Sequence, residues 1–176
     1  MYKGPKRKFN RRRRAKTSEY GSQLVEKQKL RKLYSIREKT LKTYYSRASE
    51  RPVDVDISLI KELERRLDNV VYRLGWAQTR AQAAQIVNHG HLLVNKKRIT
   101  IPSYQVRKND EVEVKESKKK LHLFKNLDPK LGKQSLPPWL GFSAQDKLKA
   151  KIAGEVSRGD FNEPINLSLV LEFYSR

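Results

Sequence analysis

Charge constrains this chain more tightly than any apolar pattern does. Residues 1 to 16 carry Lys3, Lys6, Arg7, Lys8, Arg11, Arg12, Arg13, Arg14 and Lys16, and no acid precedes Glu19. The imbalance persists beyond them: 40 Lys and Arg oppose 19 Asp and Glu, a formal net charge of +21 on 176 residues. Like charges at this density repel and work against a compact state. A chain of this length, with one modest core, keeps them when a polyanion neutralises them, and nucleic acid is the usual one. A merely soluble basic protein is the plainer reading, and the clustering of the cations weakens it.

Other classes are excluded by what is scarce. The chain has no cysteine, so disulfides and cysteine-ligated zinc are ruled out, and nothing points to an oxidising compartment. The longest apolar runs are a few residues, far from the ~20 that span a bilayer. The start lacks the apolar segment of a secretory signal; it is Arg-rich and acid-poor like a transit peptide, but holds no serine before Ser18. The only histidines are His89, His91 and His122, too few for a convergent metal site. There is no Walker loop and no glycine-flanked serine. Asp54 and Asp56 are one residue apart in a loop, a spacing that suits capping better than acid–base work. No catalytic residue, metal ligand or cofactor is expected, and the chain is not read as an enzyme.

The apolar pattern is that of an α+β, mostly helical protein. Residues 1–18 form a basic arm. From Glu19 to Arg47, Leu30, Leu33, Tyr34, Leu41, Tyr44 and Tyr45 recur at three and four residues, predicting a helix with Lys27, Lys29, Lys32, Lys39 and Lys42 largely off its apolar stripe. A second helix carries Ile60, Leu63, Leu67, Val70, Val71 and Leu74 and ends at Gly75. Thr79 and Gln82 have capping-box spacing and open a third. Leu92–Val94 and Arg98-Ile99 flank Asn95-Lys96-Lys97 as a hairpin, and Glu111–Val114 alternates as a further strand. Residues 115–135 read as a polar linker. After Pro137-Pro138-Trp139-Leu140 a short helical segment is expected, then a tight turn at Arg158-Gly159-Asp160 and a docked terminal element at Leu167–Phe173.

Such a surface suits RNA. Lys and Arg neutralise phosphates and release counterions. Tyr20, Tyr34, Tyr44, Tyr45, Tyr72 and Tyr104 lie near basic clusters and can stack on splayed bases, although a half-buried core role is preferred for each.

Between residues 65 and 114 a resemblance emerges. Arg65-Arg66-Leu67-Asp68-Asn69-Val70-Val71-Tyr72-Arg73-Leu74-Gly75-Trp76-Ala77, Thr79-Arg80-Ala81-Gln82-Ala83 and Val87-Asn88-His89-Gly90-His91 resemble the small RNA-binding domain of small-subunit ribosomal protein four. Val94-Asn95, Ile101–Val106 and Asn109-Asp110 continue it. Pseudouridine synthases, some tyrosyl-tRNA synthetases and rescue factors share that domain, so the flanks decide. Ser18-Glu19-Tyr20-Gly21, Gln23-Leu24, Glu26–Lys29 and Tyr44-Tyr45 resemble the ribosomal family's first helical region. Pro138-Trp139-Leu140, Gly154, Arg158, Asp160, Ile165-Asn166 and Glu172–Arg176 resemble its C-terminus. The chain is thereby identified as a member of that family from about Arg13 onward.

The resemblance implies a helical body formed by N- and C-terminal segments (residues 19–64 and 119–176), with a helix–helix–β-hairpin domain of the alpha-L type at 65–118 inserted between them. It implies direct, early binding to the 5′ domain of small-subunit rRNA, contact with small-subunit ribosomal protein five, and proximity of Arg13, Arg14 and Lys16 to the pore where mRNA enters. The ribosome is expected to be of the bacterial cytoplasmic type, with an organellar one as the alternative. The family's usual N-terminal segment, a cysteine zinc knuckle in some members, has no counterpart here. The RNA face expected for the inner domain is Arg65, Arg66, Arg73, Thr79, Arg80, Gln82, Asn88, His89, Lys97 and Arg98, with Tyr20 and the arm adding grip. Asp68 and Asn69 orient the helix or touch RNA. Lys96 stands where Asn-Gly is common, and positive φ costs a non-glycine residue roughly 1 kcal/mol, so a different turn type is expected. Two rivals remain: an RNA-modifying enzyme, for which no segment is long enough, and a free regulatory or rescue factor.

Overall fold

The computed structural model describes residues 18–50, 54–125 and 136–176. The predicted first helix is two. α1 (Glu19–Leu33) starts at Ser18, whose Oγ accepts the Gly21 amide at 3.2 Å, and α2 (Glu38–Ser49) follows a sharp bend. Ser35 lies at φ 52° in that bend, a conformation that no continuous helix admits. Folding α2 back brings Leu30, Tyr34, Leu41, Tyr44 and Ala48 into one cluster with Leu59 and Leu63 of α3 (Val55–Glu64) and Val170 of α8 (Leu167–Ser175).

The second predicted helix also divides, into α3 and α4 (Leu67–Arg73), because its backbone finds other partners at the break. The first amides of a helix have no acceptor within it. Here Leu67 N–H donates to the Tyr104 carbonyl at 2.8 Å and Asp68 N–H to that of Pro102 at 3.1 Å, while Val106 N–H returns to the Arg65 carbonyl at 2.9 Å. The loop before the last strand of the hairpin domain thus caps α4. Gly75 ends it at φ 73°, and Thr79 caps α5 (Arg80–Asn88), accepting the Gln82 amide at 3.1 Å. The Gln82 carboxamide oxygen accepts the Gln78 amide at 2.7 Å, one residue beyond the Thr79 amide of a reciprocal box.

The strands β1 (Leu92–Val94), β2 (Lys97–Arg98), β3 (Glu111–Val114), β4 (Leu140–Phe142) and β5 (Lys149–Ile152) form one antiparallel sheet in the order β2-β1-β3-β5-β4. Its buried face presents Leu92, Val94, Val112, Val114, Ala150, Ile152 and Leu140 to α4 and α5 residues Val70, Val71, Ala83 and Val87 and to Trp76. The two strands β4 and β5 replace the helical segment expected after Pro138. At three and four residues they are too short to display a period, although Lys149-Ala150-Lys151-Ile152 does alternate buried and exposed positions. Residues 119–176 therefore divide between the two cores: β4 and β5 extend the inner domain's sheet, and α8 returns to the helical body beside α1. Phe161 and Leu167 pack against both clusters. The start of the expected linker is also ordered, as α6 (Glu116–Lys119) and α7 (His122–Lys125), with Phe124 buried.

The hairpin turn departs from expectation in the other direction. Asn95 and Lys96 both have positive φ (50° and 65°), the pattern of a type I′ turn, without a glycine. Asp110 and Glu111 hold it: Asn95 Nδ2 donates to Asp110 Oδ1 at 2.8 Å, and Asn95 Oδ1 accepts the Glu111 amide at 2.9 Å.

Candidate nucleic-acid interface

The cations of the inner domain fall into two populations. Three of the arginines expected to face RNA face protein instead. Glu64, with no solvent exposure, accepts Arg73 Nε at 3.1 Å and Nη2 at 2.8 Å, Asn69 Nδ2 at 2.9 Å and the Tyr34 hydroxyl at 2.5 Å. Asn69 Oδ1 accepts Arg80 Nε at 2.9 Å, and Arg80 Nη2 donates to Glu163 at 2.9 Å. The Arg80 guanidinium also lies between two rings, 4.7 Å from that of Tyr34 and 4.4 Å from that of Tyr72. Arg66 forks onto Asp68 at 3.0 and 2.5 Å and donates to the Tyr44 hydroxyl at 2.8 Å. The physical reason is common to all three: they stand where α4 and the start of α5, part of the inner core, meet the helical body, and there a planar guanidinium can serve several acceptors at once. Arg66, Arg73 and Arg80 therefore act first as ties between the helical body and the inner domain, and Asp68 and Asn69 orient them.

Titration behaviour follows from this burial. Burial works against the Arg73 charge, but the hydrogen bond and charge of Glu64 outweigh it and hold its pKa above the ordinary arginine range. Burial pushes the Tyr34 hydroxyl well above its usual value, and the adjacent Glu64 carboxylate adds to the shift. Burial also pushes the Asp68 carboxyl up, against the pull of Arg66. Lys27, expected off the apolar stripe, is likewise internal: its Nζ meets Glu38 at 2.9 Å and sits 4.1 Å over the Phe173 ring.

The second population is free. Asn88, His89, Lys97 and Arg98 are exposed, Lys97 and Arg98 on the edge strand β2, with Lys96 beside them in the turn. Arg98 lies across Gly90, where an added Cβ would fall 2.2 Å from its Nε; that glycine, at φ 66°, leaves room for the guanidinium. Thr79 is exposed and Gln82 half-buried, each with an oxygen committed to the cap of α5. Arg65 is half-buried and its Nε donates to the Val106 carbonyl at 2.8 Å. Tyr20 is exposed but pairs with Phe173 of α8 at 5.7 Å, so it belongs to the helical body. The arm residues Lys3, Lys6, Arg7, Lys8, Arg11, Arg12, Arg13, Arg14 and Lys16 lie outside the described residues.

One cationic feature was only partly visible in the sequence, where Lys39 alone of its cations was named on the first helix. A groove of about 810 Å³ runs between α2 and the Pro102-Ser103 loop, lined by Arg37, Lys39, Arg47 and Arg66 and by no acid. Lys39, Thr43 and Arg47 stand at i, i+4 and i+8 on α2, a polar stripe that was legible but looked like any solvated helix face. Among the described residues no three His, Asp or Glu side chains converge as metal ligands, and no helix is long and apolar enough to cross a membrane.

The comparisons agree with this arrangement. A family model described as the S4 domain matches residues 65–112, and one described as the ribosomal protein S4/S9 N-terminal domain matches residues 2–70. Among similar proteins, the small ribosomal subunit protein uS4 of Sulfurihydrogenibium sp. is 46% identical over 163 residues, covering 92% of this chain and 79% of that protein. Those of Aquifex aeolicus and Desulforamulus reducens are 44% and 42% identical, each covering 93% of this chain and 79% and 78% of their own length. An inner domain with a hairpin-edge cluster of cations, tied by buried arginines to a helical body and matched across both parts, places this chain in the small ribosomal subunit protein uS4 family.

Proposed function

We propose that this protein is a structural constituent of the small ribosomal subunit, binds the 5′ domain of small-subunit rRNA directly, and nucleates assembly there. It has no catalysis of its own; its family is one of structural proteins. The observation that carries the reading is the division of the cations. Arg66, Arg73 and Arg80 are neutralised inside the molecule, whereas Lys97, Arg98 and the groove cations Arg37 and Lys39 form no ion pair among the described residues. A rigid surface displaying unpaired cations fits one folded RNA better than it fits a polyanion in general.

The contacts with small-subunit ribosomal protein five and with mRNA where it enters, and a share in translational accuracy, belong to the same proposal and rest on family membership. The experiment compares a 5′-domain rRNA fragment with an unrelated RNA of equal length at raised salt. Much tighter binding of the first is expected; equal binding would leave only a polycation. Sedimentation of a cell lysate addresses the free-factor alternative, which absence from the small-subunit peak would favour.

A further inference from the structure

The outer stripe of α5 borders a cavity for which phosphate binding has no use. Gln82, Gln85, Ile86 and His89 stand at i, i+3, i+4 and i+7, and with His91 and Leu123 they line a half-open hollow of about 170 Å³. Ile86 and Leu123 supply apolar surface. His89 and His91 meet edge to face, 5.6 Å between centroids at 87°, so their rings form two perpendicular walls. Gln82 and Gln85 add carboxamides, each a donor and an acceptor on one planar group. The Gln82 oxygen is committed to the Gln78 amide, but its amino group is not.

Behind this lining, His91 Nδ1 is buried and has no hydrogen-bond partner among the described residues. The cavity is larger than the ~30 Å³ share of one water and smaller than the ~300 Å³ at which pockets for drug-sized ligands begin. Arg98 stands close by: its guanidinium lies over Gly90, between the two histidines in sequence.

We propose that this cavity receives one unpaired nucleobase turned out of the bound RNA strand, with Arg98 holding an adjoining phosphate. Adenine fits the polar wall, because a glutamine carboxamide pairs with its N6 donor and N7 acceptor together. Stacking on an aromatic side chain is the usual way a protein reads a base from single-stranded RNA. The inference rests on the rRNA-binding reading above and adds that the inner domain reads a base as well as a backbone.

The test uses the full chain and the 5′-domain rRNA fragment with three variants, His89→Ala, His89→Phe and Gln85→Leu, both positions being exposed. Affinity is measured across a salt series, and the reactivity of individual unpaired adenines to dimethyl sulfate is followed alongside. The wild type should shield an adenine that His89→Ala and Gln85→Leu leave reactive. Each of those two variants should bind roughly tenfold more weakly, with an unchanged salt slope. His89→Phe keeps the ring and should recover most of the His89→Ala loss. The proposal is overturned if all three variants bind and shield as the wild type does, or if Phe is no better than Ala and the salt slope flattens, which would make His89 a surface charge. Failure of the wild type itself to prefer the 5′-domain fragment would instead remove the rRNA reading, and the base pocket with it.

Discussion

Replacing Glu64 tests whether the buried arginines join the two cores. Its carboxylate has no exposure and accepts four hydrogen bonds, two from Arg73 and one each from Asn69 and Tyr34. In Glu64→Ala the Tyr34 hydroxyl loses the only partner it has among the described residues, and Arg73 keeps just Glu163, at 3.3 Å. Breaking a buried ion pair by removing one member costs about 3–5 kcal/mol. Arg73 retains 18% side-chain exposure and that second carboxylate, so its share falls at the lower end, about 3 kcal/mol. Orphaning a buried hydroxyl adds about 1 kcal/mol. A total of about 4 kcal/mol is expected, a fall in Tm of roughly 10 °C for a chain of this size. Glu64→Gln preserves volume and one acceptor and should lose about half as much.

Urea unfolding followed by circular dichroism measures the change, which should appear in the midpoint with the slope preserved. A double-mutant cycle with Arg73→Ala should show a coupling above about 1 kcal/mol, since each single variant strands the other's charge. A loss under about 1 kcal/mol for Glu64→Ala, or additive behaviour with Arg73→Ala, would refute the idea that this network holds the body to the inner domain.

Three further outcomes are expected. Lys97→Ala and Arg98→Ala should weaken rRNA binding and reduce the salt slope by about 0.7–0.9 for each phosphate no longer neutralised, with no shift in the urea midpoint; an unchanged slope would place these side chains off the RNA. Stability should decline at alkaline pH through Tyr34: its folded pKa is raised, so its contribution is complete below pH 10 and is lost as pH climbs through the folded value. Tyr34→Phe should flatten that decline in urea midpoints compared between pH 8 and pH 11, and an identical pH profile would exclude Tyr34 as its source. Lys96→Gly should relieve the positive φ in the hairpin turn and raise the Tm slightly, gaining less than about 1 kcal/mol because glycine also loosens the unfolded chain; a lower Tm would mean that the turn is not strained.

What the sequence revealed depended on whether the cause was local. Thr79 and Gln82 announced the start of α5 because a cap is a three-residue event, and Gly75 marked a stop for the same reason. The splits at Ser35 and at Arg65-Arg66 were invisible to periodicity, since the apolar stripe runs unbroken through both. The second is caused by carbonyls of Pro102 and Tyr104 some 35 residues on, which no local window contains. Strands β4 and β5 escaped for a related reason: Leu140 is placed by pairing with Ile152, and Ala150 by pairing with Val112 of a strand much earlier in the chain. Among the candidate site residues, the exposure of Lys97, Arg98, Asn88 and His89 was legible because turns and helix ends are exposed by construction. Arg66, Arg73 and Arg80 were not, because an arginine on a helix beside apolar residues looks the same whether its head meets phosphate or a carboxylate.

That ambiguity bears on how a strongly basic chain can fold at all. Repulsion among so many cations should destabilise the compact state most where helices cross, since there the charges are closest and least screened. The structure places three acids at that crossing: Glu64, Asp68 and Glu163 come from three separate segments and meet Arg66, Arg73 and Arg80 at the boundary of the two cores. Each acid also fixes an orientation, because a guanidinium fork accepts a carboxylate in few geometries. The relation between helical body and inner domain is thus set before RNA arrives, and the free cations on the hairpin edge and along α2 are held at defined separations from one another. An RNA with phosphates at matching separations meets a surface that need not reorganise, whereas one of the same charge and a different shape does not. On the proposed rRNA-binding reading, discrimination among polyanions follows from the few cations the protein has neutralised, as much as from the many it has left free.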